Sequence, residues 1–315
     1  MTAIAKLAGG LIVLILIGVF AAGAVAFDAS RYYEQELIRP APGFVYEVKP
    51  GATLKSVAAD LQAEGLLTRP WYWVTVARWE GRANKIKAGE YALDGDLTPA
   101  ALLDVFTSGK TVQYAITLVE GWTFEEVLAE VAEHSTLEQT LGGADPAQVM
   151  AALGQEGVHP EGWFYPDTYN FPRGTTDLEF LKRSHETMRK RLAAEWEGRE
   201  EGLPIETPYE ALILASIVER ETGVAEERPL IAAVFISRLK KGMKLQTDPT
   251  VIYGMGADYD GNIRRSDLTT DTPYNTYVHA GLTPTPIAMP SGEALHAVLH
   301  PAQSKALFFV ARGDG

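Results

Sequence analysis

The sequence predicts an α+β protein, because its helices and short strands lack the regular alternation of a doubly wound sheet. Alternating apolar residues at 44–48 and 112–118 predict strands, whereas the apolar period of 54–61 and the apolar run 211–218 predict helices. Hydrophobic residues make up 46% and charged residues 22% of the 315 residues, which is typical of a folded protein long enough for two domains.

Charge and cysteine content exclude several classes of protein. The 28 basic and 41 acidic residues give a formal net charge of −13. Such a surface repels phosphate backbones, so we predict no nucleic-acid partner. The chain has no cysteine, which excludes disulfides, thiolate zinc sites and cysteine nucleophiles.

An uncharged segment near the N-terminus predicts a membrane anchor. Residues 7–27, which follow a short tail at 1–6, reach about 31 Å as a helix and could cross a bilayer once. A cleaved signal peptide is the alternative, because Ala24-Val25-Ala26 resembles a cleavage site. The apolar region of a signal peptide is typically only about 7–15 residues long, which favours the anchor. The flanking charges do not fix the orientation.

The next residues predict a spacer and then a small folded unit. Prolines in 39–43 predict an extended linker over 28–43. A strand at 44–48, a helix capped by Thr53, a helix opened by Pro70 and a returning strand at 89–93 predict a strand-helix-helix-strand order.

The second unit contains a helix that must be buried. From Ala211 to Val218 it is apolar on every side except Ser216. Glu219 follows this run, so its carboxyl should lose water, which disfavours the charged form and suits a general acid that then acts as a base. Glu221 could share this environment. An ion pair, for instance with Arg228 or Arg238, is the alternative for either carboxyl.

Two polar stretches follow this helix, at 246–254 and 273–277. Their amides, hydroxyls and aromatic rings could bind a neutral, hydroxyl-rich ligand such as a sugar chain. Turn formation is the alternative interpretation. His296 and His300 share a helix face with Glu293 nearby, but the zinc-protease pattern is absent, so we predict neither a metal nor another cofactor.

Several motifs together resemble one enzyme family. They are Ala215-Ser216-Ile217-Val218-Glu219-Arg220-Glu221-Thr222, the run 245–254, Glu161-Gly162-Trp163-Phe164-Tyr165-Pro166-Asp167-Thr168-Tyr169, Tyr274-Asn275-Thr276-Tyr277 and Gly281-Leu282. The chain is similar in these motifs to the endolytic murein transglycosylases, the YceG-like family. Residues 44–118 look like the family's LysM-like subdomain, which leaves 119–315 as an α+β catalytic domain.

The resemblance implies a function and a place in the cell. It implies a single-pass inner-membrane protein with a cytoplasmic tail and a periplasmic body, which cuts nascent peptidoglycan glycan strands without a cofactor. It places the catalytic glutamate at Glu219. It also implies peptidoglycan strands as substrate and peptidoglycan synthases as candidate partners. The candidate substrate-binding residues are Ser216, Gln246, Asp248, Tyr253, Tyr274 and Asn275.

The chain departs from the family pattern in ways that keep other functions open. It stops at Gly315, where relatives usually continue, so we expect a C-terminally truncated domain. Pro284-Thr285-Pro286 and Met289-Pro290-Ser291 replace the usual Pro-Gly-Pro and Asn-Pro-Gly and could reshape a loop at the cleft rim. A non-catalytic glycan-binding or scaffold protein is the main alternative. A hydrolase that uses Asp248 as a second carboxylate is another.

Overall fold

Helices dominate the computed structural model, which describes residues 2–309 and their side chains from residue 9 onward. The described chain forms two compact units, one up to residue 114 and one from residue 115 onward. Each contains helices and a two-stranded sheet, so the predicted mixture of helix and strand is confirmed. The predicted domain limits 7–27, 28–43, 44–118 and 119–315 stay predictions, and residues 310–315 lie outside the described part.

The first helix, α1 (Thr2–Gln35), contains a segment apolar enough to cross a membrane. This segment runs over Gly9–Gln35 and is the one membrane-spanning candidate among the described residues. The large side chains at 11–17 are all exposed. An exposed apolar helix of this length is compatible with a single-pass anchor.

Helix α1 remains helical as far as Gln35, so the first part of the segment 28–43 is helical and not extended as its sequence predicts. Tyr32 and Tyr33 are buried in the core of the first unit, and the Tyr33 hydroxyl donates a hydrogen bond to Glu80 at 3.0 Å. These contacts stabilise the last turns of the helix. The non-helical connection is therefore shorter than the proline pattern predicts.

The first unit has the predicted strand-helix-helix-strand order. Its elements are β1 (Val45–Val48), α2 (Leu54–Ala63), α3 (Pro70–Trp79), β2 (Gly89–Ala92) and α4 (Pro99–Ser108). Strands β1 and β2 are antiparallel, with Tyr46 opposite Tyr91. Trp73 is fully buried, and its indole Nε1 donates to the Pro99 carbonyl at 2.7 Å. Buried aromatic residues thus hold the helices of this unit against its sheet.

Strand β3 (Tyr114–Thr117) starts at the boundary between the units and pairs with β4 (Thr168–Phe171) of the second unit. The helices of this unit are α5 (Phe124–Glu133), α6 (Pro146–Ala152), α7 (Asp177–Glu197), α8 (Pro208–Glu221), α9 (Arg228–Lys240), α10 (Asp248–Met255) and α11 (Gly292–Leu299). Helices α7, α9, α10 and α11 all contact α8, which makes α8 the centre of this unit.

Helix α8 has the burial that its sequence predicts. A capping box between Thr207 and Glu210 fixes its start, and every residue from Ala211 to Glu219 is buried. Because the neighbouring helices cover the apolar run on all sides, its C-terminal end is held in a fixed position. The side chain of Glu219 is presented from that end.

Candidate active site

The two carboxylate oxygens of Glu219 have different partners. Arg228 Nη2 donates to Oε1 at 2.9 Å, while the Ser291 backbone N–H donates to Oε2 at 2.8 Å. The Ser291 hydroxyl donates to the same Oε2. Only 9% of Glu219 is exposed, so these bonds replace the water that the carboxylate would otherwise bind.

The ion pair with Arg228 is one of the alternatives that the sequence left open, and it is present. The side chains of Arg228 and Glu219 are only 11% and 4% exposed. Arg228 Nε is buried and has no hydrogen-bond partner within the described part of the chain. The guanidinium is therefore bound to the carboxylate while part of its donor capacity is unused.

Ser291 connects Glu219 to the start of α11. It is the N-cap of this helix, and its hydroxyl accepts a hydrogen bond from the Ala294 N–H at 3.1 Å. The positive end of the α11 dipole lies at the same place as these contacts. The Ser291 hydroxyl therefore contacts both the first turn of α11 and the Glu219 carboxylate.

Glu219 lies in the wall of a cleft of about 360 Å³, which we call the Glu219 cleft. Its lining residues are Glu120, Gly121, Glu219, Arg220, Glu221, Thr222, Gly223 and Arg228. The volume is in the range of small-ligand sites, and the lining is polar and charged. The cleft can therefore bring a polar ligand to a buried carboxyl group.

Glu221 lies between the Glu219 cleft and a smaller pocket of about 220 Å³, the Gln246 pocket. Burial raises the pKa of Glu221, although a hydrogen bond from Thr247 Oγ1 at 2.5 Å opposes this shift. The two cavities thus share one carboxyl group. Because Glu221 is a glutamate in the same cleft as Glu219, it is the matched control for experiments on Glu219.

Two predicted substrate-binding residues, Gln246 and Asp248, line the Gln246 pocket and are exposed. Gln246 has a left-handed backbone with φ of 51°, which is uncommon for a residue other than glycine. Its amide oxygen accepts a hydrogen bond from Arg238 Nη1 at 3.3 Å, and Asp248 accepts one from the Tyr277 hydroxyl at 2.6 Å. Both side chains remain accessible to a ligand.

Two further predicted substrate-binding residues, the aromatic Tyr253 and Tyr274, contact each other. Their rings meet edge to face at 4.9 Å between centroids, and both are partly exposed. The Tyr253 hydroxyl donates to Glu161 Oε2 at 3.0 Å, and the Tyr274 hydroxyl lies 2.9 Å from Thr285 Oγ1. They form a second aromatic and polar group within the same unit.

Ser216 and Asn275 are too buried to contact a substrate, which differs from the sequence-based prediction. The Ser216 hydroxyl donates to the Ile213 carbonyl at 2.7 Å and accepts from the Ile287 N–H at 2.9 Å. Asn275 donates to the Asp267 carbonyl at 2.9 Å. Both are almost completely buried, so we assign them to the framework that positions the neighbouring loops.

Sequence reasoning missed the buried carboxyl of Glu161. Its Oε1 accepts a hydrogen bond from the Phe124 N–H at 2.9 Å, and burial raises the pKa of Glu161 to about 7. The adjacent Gly162 has φ of +82°, and a Cβ there would lie 2.7 Å from Pro286. The aromatic run that starts at Glu161 has no amphipathic period, so no pattern in the sequence could indicate this burial.

Comparisons with known proteins agree with the motifs of the site. The YceG-like family model matches residues 46–315. An endolytic murein transglycosylase of Bacillus subtilis is 29% identical over 285 residues, which cover 85% of this chain and 78% of that protein. One from Streptococcus pneumoniae is 26% identical over 297 residues, which are 84% of this chain and 53% of that longer protein.

A solved structure gives a similar match. The crystal structure of a YceG-like protein from Listeria monocytogenes matches with a TM-score of 0.52 and 26% identity, over 85% of this chain and 93% of that one. Because the family model extends over more than half of the sequence and includes both the helix of Glu219 and the polar stretches after it, this chain belongs to the YceG-like family.

Proposed function

We propose that the protein is a membrane-anchored lytic transglycosylase. It cuts the bond between N-acetylmuramic acid and N-acetylglucosamine in nascent peptidoglycan strands and leaves 1,6-anhydro-N-acetylmuramic acid ends. The observation that carries this proposal is the buried Glu219 in the wall of a polar cleft, in a family whose relatives are named endolytic murein transglycosylases.

In the proposed reaction one carboxyl group moves two protons in turn. Protonated Glu219 gives its proton to the glycosidic oxygen as the bond from that oxygen to C1 of the muramic acid breaks. The resulting carboxylate takes the proton of the muramic acid 6-hydroxyl, whose oxygen bonds to C1. Glu219 is then protonated again and no water is consumed, so no second carboxylate is needed to activate water.

The Arg228 ion pair sets a condition on this reaction, because Arg228 Nη2 contacts Oε1 of Glu219 at 2.9 Å while the Ser291 N–H contacts Oε2 at 2.8 Å. The first step needs one of these two oxygens to contact the glycosidic oxygen instead. We infer that an entering glycan draws Arg228 away from Glu219. The unpaired Arg228 Nε supports this step, since the guanidinium has unused donors that could bind sugar oxygens.

Exposed residues of the second unit could bind the rest of the glycan. Gln246 and Asp248 offer an amide and a carboxylate in the Gln246 pocket, which adjoins the Glu219 cleft at Glu221. Tyr253 and Tyr274 offer ring faces of the kind on which sugars pack. We propose that these four side chains position sugar units while Glu219 performs the chemistry.

The first unit and α1 would place the enzyme at the membrane. We propose that residues 7–27 cross the inner membrane from a cytoplasmic tail, that residues 44–118 form a LysM-like glycan-binding subdomain and that 119–315 form the catalytic domain in the periplasm. The exposed apolar face of α1 and the strand-helix-helix-strand order support these assignments. Peptidoglycan synthases, which make the substrate strands, are the proposed partners.

The test is digestion of purified, uncrosslinked glycan strands by the full chain in detergent, with mass spectrometry of the new ends. We expect ends lighter by one water than reducing ends. Glu219→Gln should lower the rate at least about 100-fold with an unchanged melting curve, because general acid-base catalysis typically contributes 10²–10⁴-fold. The matched control, Glu221→Gln, changes a carboxyl in the same cleft and should keep most of the activity.

Three other outcomes would contradict this proposal. Reducing ends would indicate a hydrolase, in which case Asp248→Asn should also abolish turnover. Glycan binding without new ends, unchanged in Glu219→Gln, would indicate a scaffold protein. Near-normal activity of the folded Glu219→Gln variant would remove Glu219 from the mechanism.

A further inference from the structure

A group of three metal-binding side chains lies away from the cleft, where α7 packs against α11. Glu195 comes from α7, His296 from α11 and His300 from the residue that caps α11. One ligand atom of each lies within 4.8 Å of the others. His296 Nδ1 is 3.0 Å and His300 Nε2 is 4.0 Å from the same oxygen, Glu195 Oε2.

These separations fit a transition-metal ion. With zinc-nitrogen and zinc-oxygen bonds of about 2.0–2.2 Å, ligand atoms of a tetrahedral site lie roughly 3.3–3.6 Å apart. The two measured distances to Glu195 Oε2 lie on either side of that range. The remaining separation, between the two histidine nitrogens, is at most 4.8 Å, so side-chain rotations would be needed to bring all three atoms to bonding distance of one ion.

An ordinary ion pair explains this arrangement less well than a metal site does. A carboxylate that pairs with a histidine needs one imidazole, but here two converge on a single oxygen. Their rings are stacked, with 4.3 Å between centroids, and each ring directs a nitrogen toward the same carboxylate oxygen, as ligands of one ion do. A divalent ion would bind both rings in their neutral form and satisfy the carboxylate as well.

The geometry points to a zinc site formed by Glu195, His296 and His300. Two imidazoles and one carboxylate are a three-ligand zinc set, and the fourth position is open to water because the site lies at the surface. The sequence offered Glu293 as the nearby acid and predicted no metal. Glu195 lies 101 residues from His296, so sequence spacing could not reveal it.

A zinc ion at this place would tie α7 to α11. The Glu200 N–H also donates to the Leu299 carbonyl at 3.0 Å, so the chain after α7 already follows the end of α11. The ion would add a cross-link between the two helices. Since Ser291 is the N-cap of α11 and binds Glu219, this cross-link would stabilise the element that holds the catalytic carboxyl. The site itself does not depend on the proposed function.

The experiment is calorimetric titration of the metal-free full chain, in detergent and without an affinity tag, with ZnCl2. We expect one zinc ion per chain and an increase in unfolding temperature on binding. His296→Ala, His300→Ala and Glu195→Gln should each weaken zinc binding at least about tenfold, because even the loss of an outer partner of a ligand costs roughly 10–100-fold.

The matched control is His279→Ala, which removes an exposed histidine that pairs with Asp271 in the described part of the chain. It should bind zinc as the wild type does. Equal zinc affinity in the wild type and in a His296→Ala/His300→Ala double variant would overturn the proposal, as would wild-type protein that binds no zinc. Loss of zinc binding in the His279→Ala variant would place the metal elsewhere. Circular dichroism of each variant confirms that the fold is intact.

Discussion

Each of the two units has a cleft, and the larger cleft is the less capable of chemistry. The cleft of the first unit has a volume of about 540 Å³, and its lining includes Lys55, Arg78 and Asn84 but no carboxyl group. The Glu219 cleft is smaller, at about 360 Å³, and contains three glutamates and two arginines. Bond cleavage by proton transfer needs an ionisable group that is held in place, so volume alone does not locate the active site.

The two units also differ in what they bury. The largest fully buried side chains of the first unit are aromatic and aliphatic, with Trp73, Tyr91 and Phe106 among them. The second unit buries carboxyl groups as well, at Glu161, Asp177 and Glu219. A buried carboxyl costs free energy unless it is paired, so its presence is a stronger sign of function than a buried ring. We therefore expect binding in the first unit and chemistry in the second.

The largest expected effect comes from breaking the Arg228–Glu219 pair. Arg228→Met leaves a buried carboxylate without its cation, which typically costs about 3–5 kcal/mol. The free energy of unfolding at pH 8, measured by denaturant titration, should fall by that amount.

A double variant provides the control for this loss. Arg228→Met/Glu219→Gln removes both charges and should recover much of the lost stability at pH 8. If the single and double variants are equally unstable, the cost comes from the lost packing of Arg228 and not from its charge. In that case the buried ion pair of the second unit would not contribute to its stability, and it would no longer distinguish the second unit from the first.

The next effect is a pH dependence that Glu161 causes. Its pKa is about 7 in the folded chain, against an ordinary value of 4.5, so the folded state binds this proton more tightly. The stabilisation is complete below about pH 4.5 and is lost as the pH rises through about 7. The difference amounts to roughly 3 kcal/mol. Glu161→Gln is neutral at every pH and should remove this part of the pH dependence of the unfolding free energy.

Denaturant titrations between pH 5 and 8 measure this difference. The exposed Glu293→Gln is the matched control and should keep the wild-type pH dependence. Equal pH dependence in wild type and Glu161→Gln would mean that Glu161 is not the group that titrates, and its burial would then not account for the pH dependence of the second unit.

A smaller effect separates the catalytic contact of Ser291 from its role as a helix cap. Ser291→Ala removes both the cap of α11 and the hydroxyl bound to Glu219. Thr123→Ala removes the equivalent cap of α5, without a described bond to Glu219. Each should lose about 1 kcal/mol of stability. Only Ser291→Ala should also slow glycan cleavage, by about tenfold. Equal rates of glycan cleavage in the two variants would mean that Ser291 acts only as a helix cap.

The features that could be predicted are those that depend on residues close together in the sequence. Periodicity and capping signals located α2, α3 and α8, and the apolar run of α8 predicted its burial. Contacts between distant residues could not be predicted in this way. The burial of Tyr32 and Tyr33 extends α1 beyond its apolar segment, and Phe124 and Tyr253 meet Glu161 only after folding.

The smallest expected effect tests the first unit. Arg78→Ala and Lys55→Ala remove cations from its cleft and should raise the KM for glycan strands a few-fold, since exposed charge contacts are worth about 0.2–1 kcal/mol. The value of kcat should not change, because such contacts bind substrate and transition state equally. Lys85→Ala, at an exposed position outside the cleft lining, is the control. A fall in kcat comparable to that of Glu219→Gln would mean that the first unit takes part in the chemistry. The assignment of binding to the first unit and of catalysis to the second would then be wrong.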